Sequence, residues 1–343
     1  MEKLQGNSFQ YQKFIKSVQT NIDMASTLPS TMRALVQEVY AEPLKAKDVN
    51  TPQATPGSAI VRVEAANIVS YMGDIYNGKR KYPYITPLTV GSSAIGRVAE
   101  VGPDATFLQP GQLVFVDCVI RGRDDPSAMF LSGIAEGGTD GSRKLMSGEW
   151  RNSTFAQYVK APLESCIPLD EKKLLGKPED GGQGYDLATL AYLSVMLVPY
   201  GGLRSIKVEP SETVIIAPAT GGFGGAAVHT ALAMGARVVA LGRNAESLAK
   251  LKKLSDRVET VQMTGNLDEE IAALAKFGRA EAYLDISPAE AANSTHIKAC
   301  ILSLRHGARV SLMGGLLGDL PIPHRFIMRN DITLKVSSSL QLR

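Results

Sequence analysis

Ala219, Thr220, Gly221, Gly222, Phe223 and Gly224 lie between a short apolar run at 214–217 and small and apolar residues at helical spacing. That order predicts a strand, a tight turn and a helix. Such a turn lets backbone amides approach a diphosphate, and the helix N-terminus adds partial positive charge. The residues fit AxGxxG, with Ala219 where the usual first glycine would sit and Gly221 and Gly224 in the later places. Glycine-rich turns also precede helices that bind nothing, so the motif alone leaves both readings open.

A second set follows the next strand, where the sequence reads Leu241-Gly-Arg-Asn244. An acidic residue about 20 positions beyond the glycine turn would accept hydrogen bonds from the ribose 2′-hydroxyl of NAD. Here Gly242 leaves space, and Arg243, followed by Asn244, offers a planar cationic fork for a 2′-phosphate. The expected cofactor is NADP(H) rather than NAD(H). The alternative makes Arg243 a solvated turn charge.

The elements that must position these residues fit a chain of 343 residues, 44% hydrophobic and 21% charged. That length exceeds a comfortable single core and predicts two domains in a globular protein. A net charge of +3, without a dense basic tract, argues against a nucleic-acid partner. Cys118, Cys166 and Cys300 are far apart and odd in number, which favours reduced thiols over a disulfide framework. Residues 1–30 are polar and read as a disordered extension, with Met24 as an alternative start. No targeting block or membrane span is evident, and the expected location is cytoplasmic.

From Met32 onward β-branched runs at 33–37, 58–64, 95–102 and 112–116 are punctuated by Pro-Gly and Gly-Pro pairs. They predict a compact β-rich domain, placed over 31–185, its strand texture ending near Pro168. Residues 121–152, glycine-rich and polar, read as a surface excursion, after which 155–159 resumes strand pattern. Leu187, Leu190, Leu193, Met196 and Leu197 then repeat at helical steps. Over 186–343 strands at 214–217, 237–241, 258–261, 280–286, 309–313 and 332–336 alternate with helices, including 245–254, 267–275 and 289–304. Repeated βα units predict an α/β fold with a doubly wound, mostly parallel sheet, and the glycine turn lies at its first β-to-α junction.

The segments Val61-Arg-Val-Glu-Ala-Ala-Asn67, Val90-Gly-Ser-Ser-Ala-Ile-Gly-Arg-Val-Ala-Glu-Val-Gly102, Gln109-Pro-Gly-Gln-Leu-Val114, Thr154-Phe-Ala-Gln-Tyr158 and the glycine turn appear in family order. In that order and combination the chain resembles the medium-chain dehydrogenases/reductases over roughly residues 32–336. The resemblance implies a GroES-like β domain, a Rossmann domain and a nicotinamide cofactor in the cleft between them.

A catalytic zinc in this family needs a Cys or His after the second strand of the first domain and a Gly-His-Glu element. The matching places read Asn67-Ile-Val-Ser-Tyr71 and Gly91-Ser-Ser93, without a soft ligand. Cys118 is a lone thiol where relatives with structural zinc carry four cysteines, and all four histidines fall in the nucleotide-binding half. The expectation is a zinc-free protein. It then resembles the quinone-oxidoreductase and enone-reductase branches, which pass hydride from NADPH to a quinone or an activated double bond. In those reactions the developing enolate or phenolate needs a hydrogen-bond donor or solvent.

Asn67, Ser70 and Tyr71 match the cleft-lining segment, with Tyr71 the preferred donor for the small-molecule substrate; a tyrosine there packs as readily as it catalyses. Tyr158 and Tyr200 are read as structural. Val198 stands where many relatives place a threonine against the nicotinamide. Gly314 and Gly315, after the fifth strand, let backbone approach the nicotinamide amide, or form a plain strand-end turn. The resemblance also implies a homodimer joined through sixth strands, with an ordinary edge strand as the alternative.

The family returns to its first domain through a final helix and strand, whereas this sequence stops at Ser337-Ser-Ser-Leu-Gln-Leu-Arg343. The expectation is exposed apolar surface in the first domain. Two other activities stay open beside the enone or quinone reductase: a non-catalytic or weakly active NADP(H)-binding protein, and a zinc-free ketone reductase or alcohol dehydrogenase.

Overall fold

The computed structural model describes residues 28–320 and 322–336. Met24, the expected N-terminal extension up to residue 27 and the chain end at 337–343 lie outside the described residues.

Ten short strands make up the first half: β1 (Thr31–Gln37), β2 (Lys45–Asn50), β3 (Ser58–Ala66), β4 (Leu88–Thr89), β5 (Ala94–Val101), β6 (Leu113–Val116), β7 (Val119–Arg121), β8 (Met129–Leu131), β9 (Tyr158–Pro162) and β10 (Cys166–Pro168). They form a five-stranded sheet β10-β6-β5-β3-β9, a three-stranded sheet β2-β1-β4 and the hairpin β7-β8, all antiparallel. Alternation decides the buried face. Ala59 and Val61 of β3, Val114 and Val116 of β6, and Val159 and Ala161 of β9 are two residues apart and enter one cluster with Val98.

Three features depart from expectation. The charged run Lys45–Asn50 forms β2, because it pairs along β1 as an edge strand and needs no apolar face. Strand β9 begins at Tyr158, three residues late. The preceding backbone instead crosses to β1, where Leu35 N–H donates to the Phe155 carbonyl at 2.8 Å and Ala34 bridges Ala156. The glycine-rich segment 121–152 is no bare surface excursion. Phe130, Ile134 and Met146 are buried there in a cluster with Met72, Ile75, Tyr76 and Leu88, and the Asp140–Ser147 helix is closed by a Thr139 capping box. A few large apolar side chains outweigh the many small polar ones around them.

The second half supplies β11 (Thr213–Ala217), β12 (Arg237–Gly242), β13 (Val258–Gln262), β14 (Ala280–Asp285), β15 (Leu304–Leu312) and β16 (Thr333–Val336). They form one parallel sheet in the order β13-β12-β11-β14-β15-β16, which reverses direction beside β11. Helices Gly222–Ala233, Ala245–Lys252, Leu267–Ala275 and His296–Leu302 connect the strands. The helix expected over 289–304 is shorter: Pro288 starts a single 3-10 turn, Ala289–Ala291, and β15 already begins at Leu304, paired with Ala280.

Helices Leu187–Ala191 and Leu193–Ser205 join the two halves. Leu190 and Ala191 pack with Ile95, Leu113 and Phe115 of the β-rich half. At the other end a Cβ on Gly202 would lie 2.2 Å from Met313 Sδ, so the helix is tight against the parallel sheet. The stretch 187–205 has the length and apolarity of a membrane span, but Leu190, Ala191, Val195 and Leu203 are buried within the protein, the pattern of a core helix.

Candidate functional site

Strand β11 ends in a turn whose glycines differ in what they do. A Cβ on Gly224 would fall 2.0 Å from the Pro218 carbonyl oxygen, so only glycine lets the helix pack on the strand end. Gly221 and Gly222 are exposed and would meet nothing within 4 Å. Gly221 caps the Gly222–Ala233 helix without a side-chain hydrogen bond, leaving the first-turn amides without a side-chain partner. Ala219 is buried, and its N–H donates to the Leu241 carbonyl at 2.6 Å, tying the turn to β12.

Gly242 ends β12, yet the room it leaves is taken: a Cβ there would lie 2.4 Å from Thr220 Cγ2. Its smallness therefore serves packing between turn and strand, a different role from the open phosphate space expected. Arg243 is exposed, and its guanidinium has no ion pair or hydrogen bond with a described residue, while its carbonyl accepts from Gln262 Nε2 at 3.1 Å. The Asn244 side chain caps the next helix by accepting from Ser247 N–H at 2.8 Å.

After β15, Gly314 is packed against Asp285, whose Oδ2 would lie 2.4 Å from a Cβ there. Gly315 would meet nothing within 4 Å, and its N–H donates to the Ser287 carbonyl at 3.0 Å. Beneath these glycines runs a buried polar chain absent from the sequence reading. Ser287 Oγ donates to Asp285 Oδ1 at 2.6 Å and lies 2.9 Å from His296 Nε2, and His296 Nδ1 lies 2.7 Å from Ser294 Oγ. Tyr283 Oη donates to the same Asp285 oxygen at 3.2 Å. No motif marks this chain, because Asp285 and His296 belong to successive elements that only the sheet brings together.

In the β-rich half, Asn67 follows β3, held by its own backbone: its N–H donates to the Ser93 carbonyl at 3.2 Å, and its carbonyl accepts from Ser92 Oγ at 3.0 Å. Ser70 is exposed in the turn before the Met72–Tyr76 helix. Tyr71 is the residue that meets the other half. Its ring centroid lies 6.4 Å from that of Phe223 on the glycine turn, and the Arg80 guanidinium stacks over the same Tyr71 ring, 4.2 Å from its centroid. Burial pushes the Tyr71 phenol up to about 12, with Tyr82 adding to the rise and Arg80 opposing it. Its hydroxyl makes no hydrogen bond with a described residue. The structure thus brings Tyr71 to the glycine turn, while Ser70 stays on the surface.

The residues at the expected zinc positions are engaged otherwise. Ser92 N–H donates to Thr154 Oγ1 at 3.0 Å, and Ser93 Oγ accepts from Cys118 N–H at 3.1 Å. Cys118, Cys166 and Cys300 are buried and form no disulfide. His229, His306 and His324 are exposed. Among the described residues no group of three or more His, Cys, Asp or Glu side chains is arranged to hold a metal ion.

Two family models match this chain, the alcohol dehydrogenase GroES-like domain over residues 55–171 and the zinc-binding dehydrogenase domain over residues 222–341. Between them they span more than half of the sequence, in the order of the two halves described above. The chain belongs to the medium-chain dehydrogenase/reductase superfamily. Its fold is a GroES-like domain followed by a parallel-sheet Rossmann domain.

This medium-chain dehydrogenase/reductase is 25% identical over 228 residues to alcohol dehydrogenase 1 of Caenorhabditis elegans, covering 64% of this chain and 58% of the relative. Acryloyl-coenzyme A reductase of Metallosphaera sedula is 27% identical over 228 residues, covering 66% and 63%. The match thus spans less than two thirds of either protein's length. An alcohol dehydrogenase of Geobacillus stearothermophilus is 25% identical over 296 residues, covering 85% and 80%. Among solved structures, a zinc-binding dehydrogenase of Sinorhizobium meliloti bound to NADP superposes with a TM-score of 0.70 at 18% identity, covering 90% of this chain and 85% of that one. An Escherichia coli alcohol dehydrogenase with NADH gives 0.68 at 18% identity, covering 92% and 85%.

A hollow of about 1210 Å³ in this dehydrogenase/reductase lies away from the glycine turn, beside Arg62, Arg97 and Tyr158 of the β-rich half. Its cationic wall is already neutralised: Arg97 donates to Glu171 at 2.7 Å and lies 3.3 Å from Glu64, and Arg62 donates to Glu64 at 2.8 Å. The Tyr71–Phe223 contact, where the segment after β3 meets the glycine turn, is the better candidate site.

Proposed function

We propose that this chain is an NADP(H)-dependent, zinc-independent oxidoreductase that reduces a quinone or an α,β-unsaturated carbonyl compound. The observation that carries it is Arg243, an exposed guanidinium without an acidic partner among the described residues, one residue past the glycine that touches Thr220 of the glycine turn. The turn fits a dinucleotide: Gly224 allows the close helix approach, and Gly221 and Gly222 leave the helix N-terminus open for a diphosphate. Residues 186–343 hold the cofactor in this reading, and residues 31–185 the substrate.

Bound NADPH supplies the hydride. Thr220, Gly221, Gly222 and Phe223 would hold its diphosphate on a turn that the buried Ala219 and Gly224 shape, Arg243 and Asn244 would flank the 2′-phosphate beside Gly242, and Gly314 and Gly315 would let backbone reach the nicotinamide amide. Tyr71 donates a hydrogen bond to the oxygen on which negative charge develops; its raised phenol stays protonated at neutral pH. In this reading Asn67 belongs to the same segment as Tyr71, with Ser70 exposed beside it. Zinc independence rests on the residue types at Asn67-Ile-Val-Ser-Tyr71 and Gly91-Ser-Ser93, whose polar groups bond the backbone or lack a soft donor. The unlinked buried cysteines support a cytoplasmic setting. Among the described residues strand β16 pairs with β15 alone, and its other edge, with Val336 exposed, is the one offered to a second copy.

NADPH consumption with a panel of quinones and enones tests the reading. Tight NADPH binding with no turnover by a folded protein would leave a binding protein on the same fold, and ketone reduction would appear in the product analysis. A stoichiometric zinc signal in clean protein would remove the zinc-independent part.

A further inference from the structure

Arg80 lies in a turn that fixes it closely. Gly78 at φ 77° and Lys81 at φ 53° flank the pair Lys79-Arg80. Arg80 N–H donates to the Asp74 carbonyl at 2.9 Å, and Lys81 N–H to the Gly78 carbonyl at 3.1 Å. The acid of this turn, Asp74, faces Lys79 at 3.5 Å. The Arg80 guanidinium is left with the Tyr71 ring, 4.2 Å away.

A stacked guanidinium gains from the ring face but satisfies no N–H by doing so. Among the described residues, buried Arg80 Nε has no hydrogen-bond partner and the side chain forms no ion pair. Leaving such a charged donor unpaired is costly, and a native structure keeps one where something else supplies the acceptor. The partly buried guanidinium of Arg97 in the same half is matched by Glu171 and Glu64, and even the exposed Arg123 is paired with Glu164 at 2.8 Å. The unmatched one stands against the residue that faces Phe223 of the phosphate turn.

We propose that Arg80 and Tyr71 form an oxyanion subsite in the substrate cleft, so that the compound reduced carries a carboxylate or phosphate group beside its unsaturated carbonyl. The inference rests on the reductase reading above. The planar fork of Arg80 takes two oxygens of the anion, while Tyr71, stacked beneath it, faces the reacting carbonyl. Arg80 belongs to the β-rich half with Tyr71 rather than to the glycine turn, which favours the substrate over the cofactor's diphosphate as the source of the anion.

Cinnamate and its neutral counterpart cinnamamide, titrated calorimetrically with and without NADPH, test this. The expected result is cinnamate binding about ten- to a hundredfold tighter than cinnamamide, the range of a charge-assisted hydrogen bond. Arg80→Gln removes the difference and Arg80→Lys restores part of it, both with unchanged NADPH affinity. Equal binding of the two probes, or a preference that survives Arg80→Gln, overturns the subsite. So does an Arg80→Gln variant that loses NADPH affinity instead, since the anion is then the cofactor's. Failure of the wild-type protein to bind NADPH sinks the cofactor reading separately, and the titration without NADPH still decides the subsite. Circular dichroism establishes that both variants are folded.

Discussion

Thr220 Cγ2 lies 2.4 Å from where a Cβ on Gly242 would stand, so the phosphate turn and the end of β12 share one small space. Gly242→Ala forces that methyl into Thr220 and is expected to destabilise the protein by about 1 to 3 kcal/mol, as overpacking does. Thr220→Ala removes Cγ2 and Oγ1, leaving Cβ at 3.3 Å. The double variant should therefore recover most of the loss, a coupling visible in a urea-unfolding cycle. Additive effects of the two changes would show that the turn relaxes freely.

The parallel sheet was legible because its strands are continuous apolar runs between helices, and five of its six strands fall within about a residue of their expected starts. The exception, β15, begins five residues early at Leu304, where pairing with β14 decides rather than pattern. The β-rich half was less legible for the same reason. The charged residues of β2 gain strand structure only from β1, and Phe130 and Met146 are isolated apolar residues in a polar run until they meet Ile75 and Leu88. At the site, the local motifs at Gly221 and Arg243 could be read from spacing. The Tyr71–Phe223 contact, the Arg80 stack and the Asp285–Ser287–His296 chain join residues from separate elements, and no spacing encodes them.

Arg243→Glu should reverse the cofactor preference. A 2′-phosphate beside an unpaired guanidinium gains a charge-assisted interaction of about 1.5 to 3 kcal/mol. NADPH affinity should fall at least about tenfold, and further through repulsion by the new carboxylate, with NADH affinity little changed. Fluorescence titration of both cofactors measures this. An unchanged NADPH-to-NADH ratio returns Arg243 to a solvated turn charge.

Tyr71→Phe keeps the ring against Phe223 and removes only the hydroxyl. Turnover should fall about a hundredfold, the lower end of general acid contributions, with substrate KM nearly constant. The phenol is held up to about 12 chiefly by burial, so the wild-type donor stays protonated through pH 10 and its pH–rate profile should not decline there on account of Tyr71. In stability the sign follows from the raised value. The stability is fully present below the ordinary tyrosine value of 10 and is lost as pH climbs from 10 towards 12, because the unfolded chain gives up its proton first. Alkaline unfolding of Tyr71→Phe should accordingly be shallower than that of the wild type.

Asp285 is a buried acid with polar partners: it accepts from Ser287 Oγ at 2.6 Å and Tyr283 Oη at 3.2 Å, and it packs under Gly314. Its removal leaves two buried hydroxyls without their acceptor. Asp285→Ala should cost about 2 to 5 kcal/mol, whereas Asp285→Asn, which keeps the shape and one carbonyl acceptor, should cost about 1 to 2. In the proposed cofactor site the consequence reaches Gly315, because the Ser287 carbonyl also holds Gly315 N–H at 3.0 Å. Under conditions where Asp285→Asn is fully folded, urea unfolding and NADPH titration should report both a lower midpoint and weaker binding. A lower midpoint with unchanged NADPH affinity would confine this chain to stability and detach Gly314 and Gly315 from the cofactor.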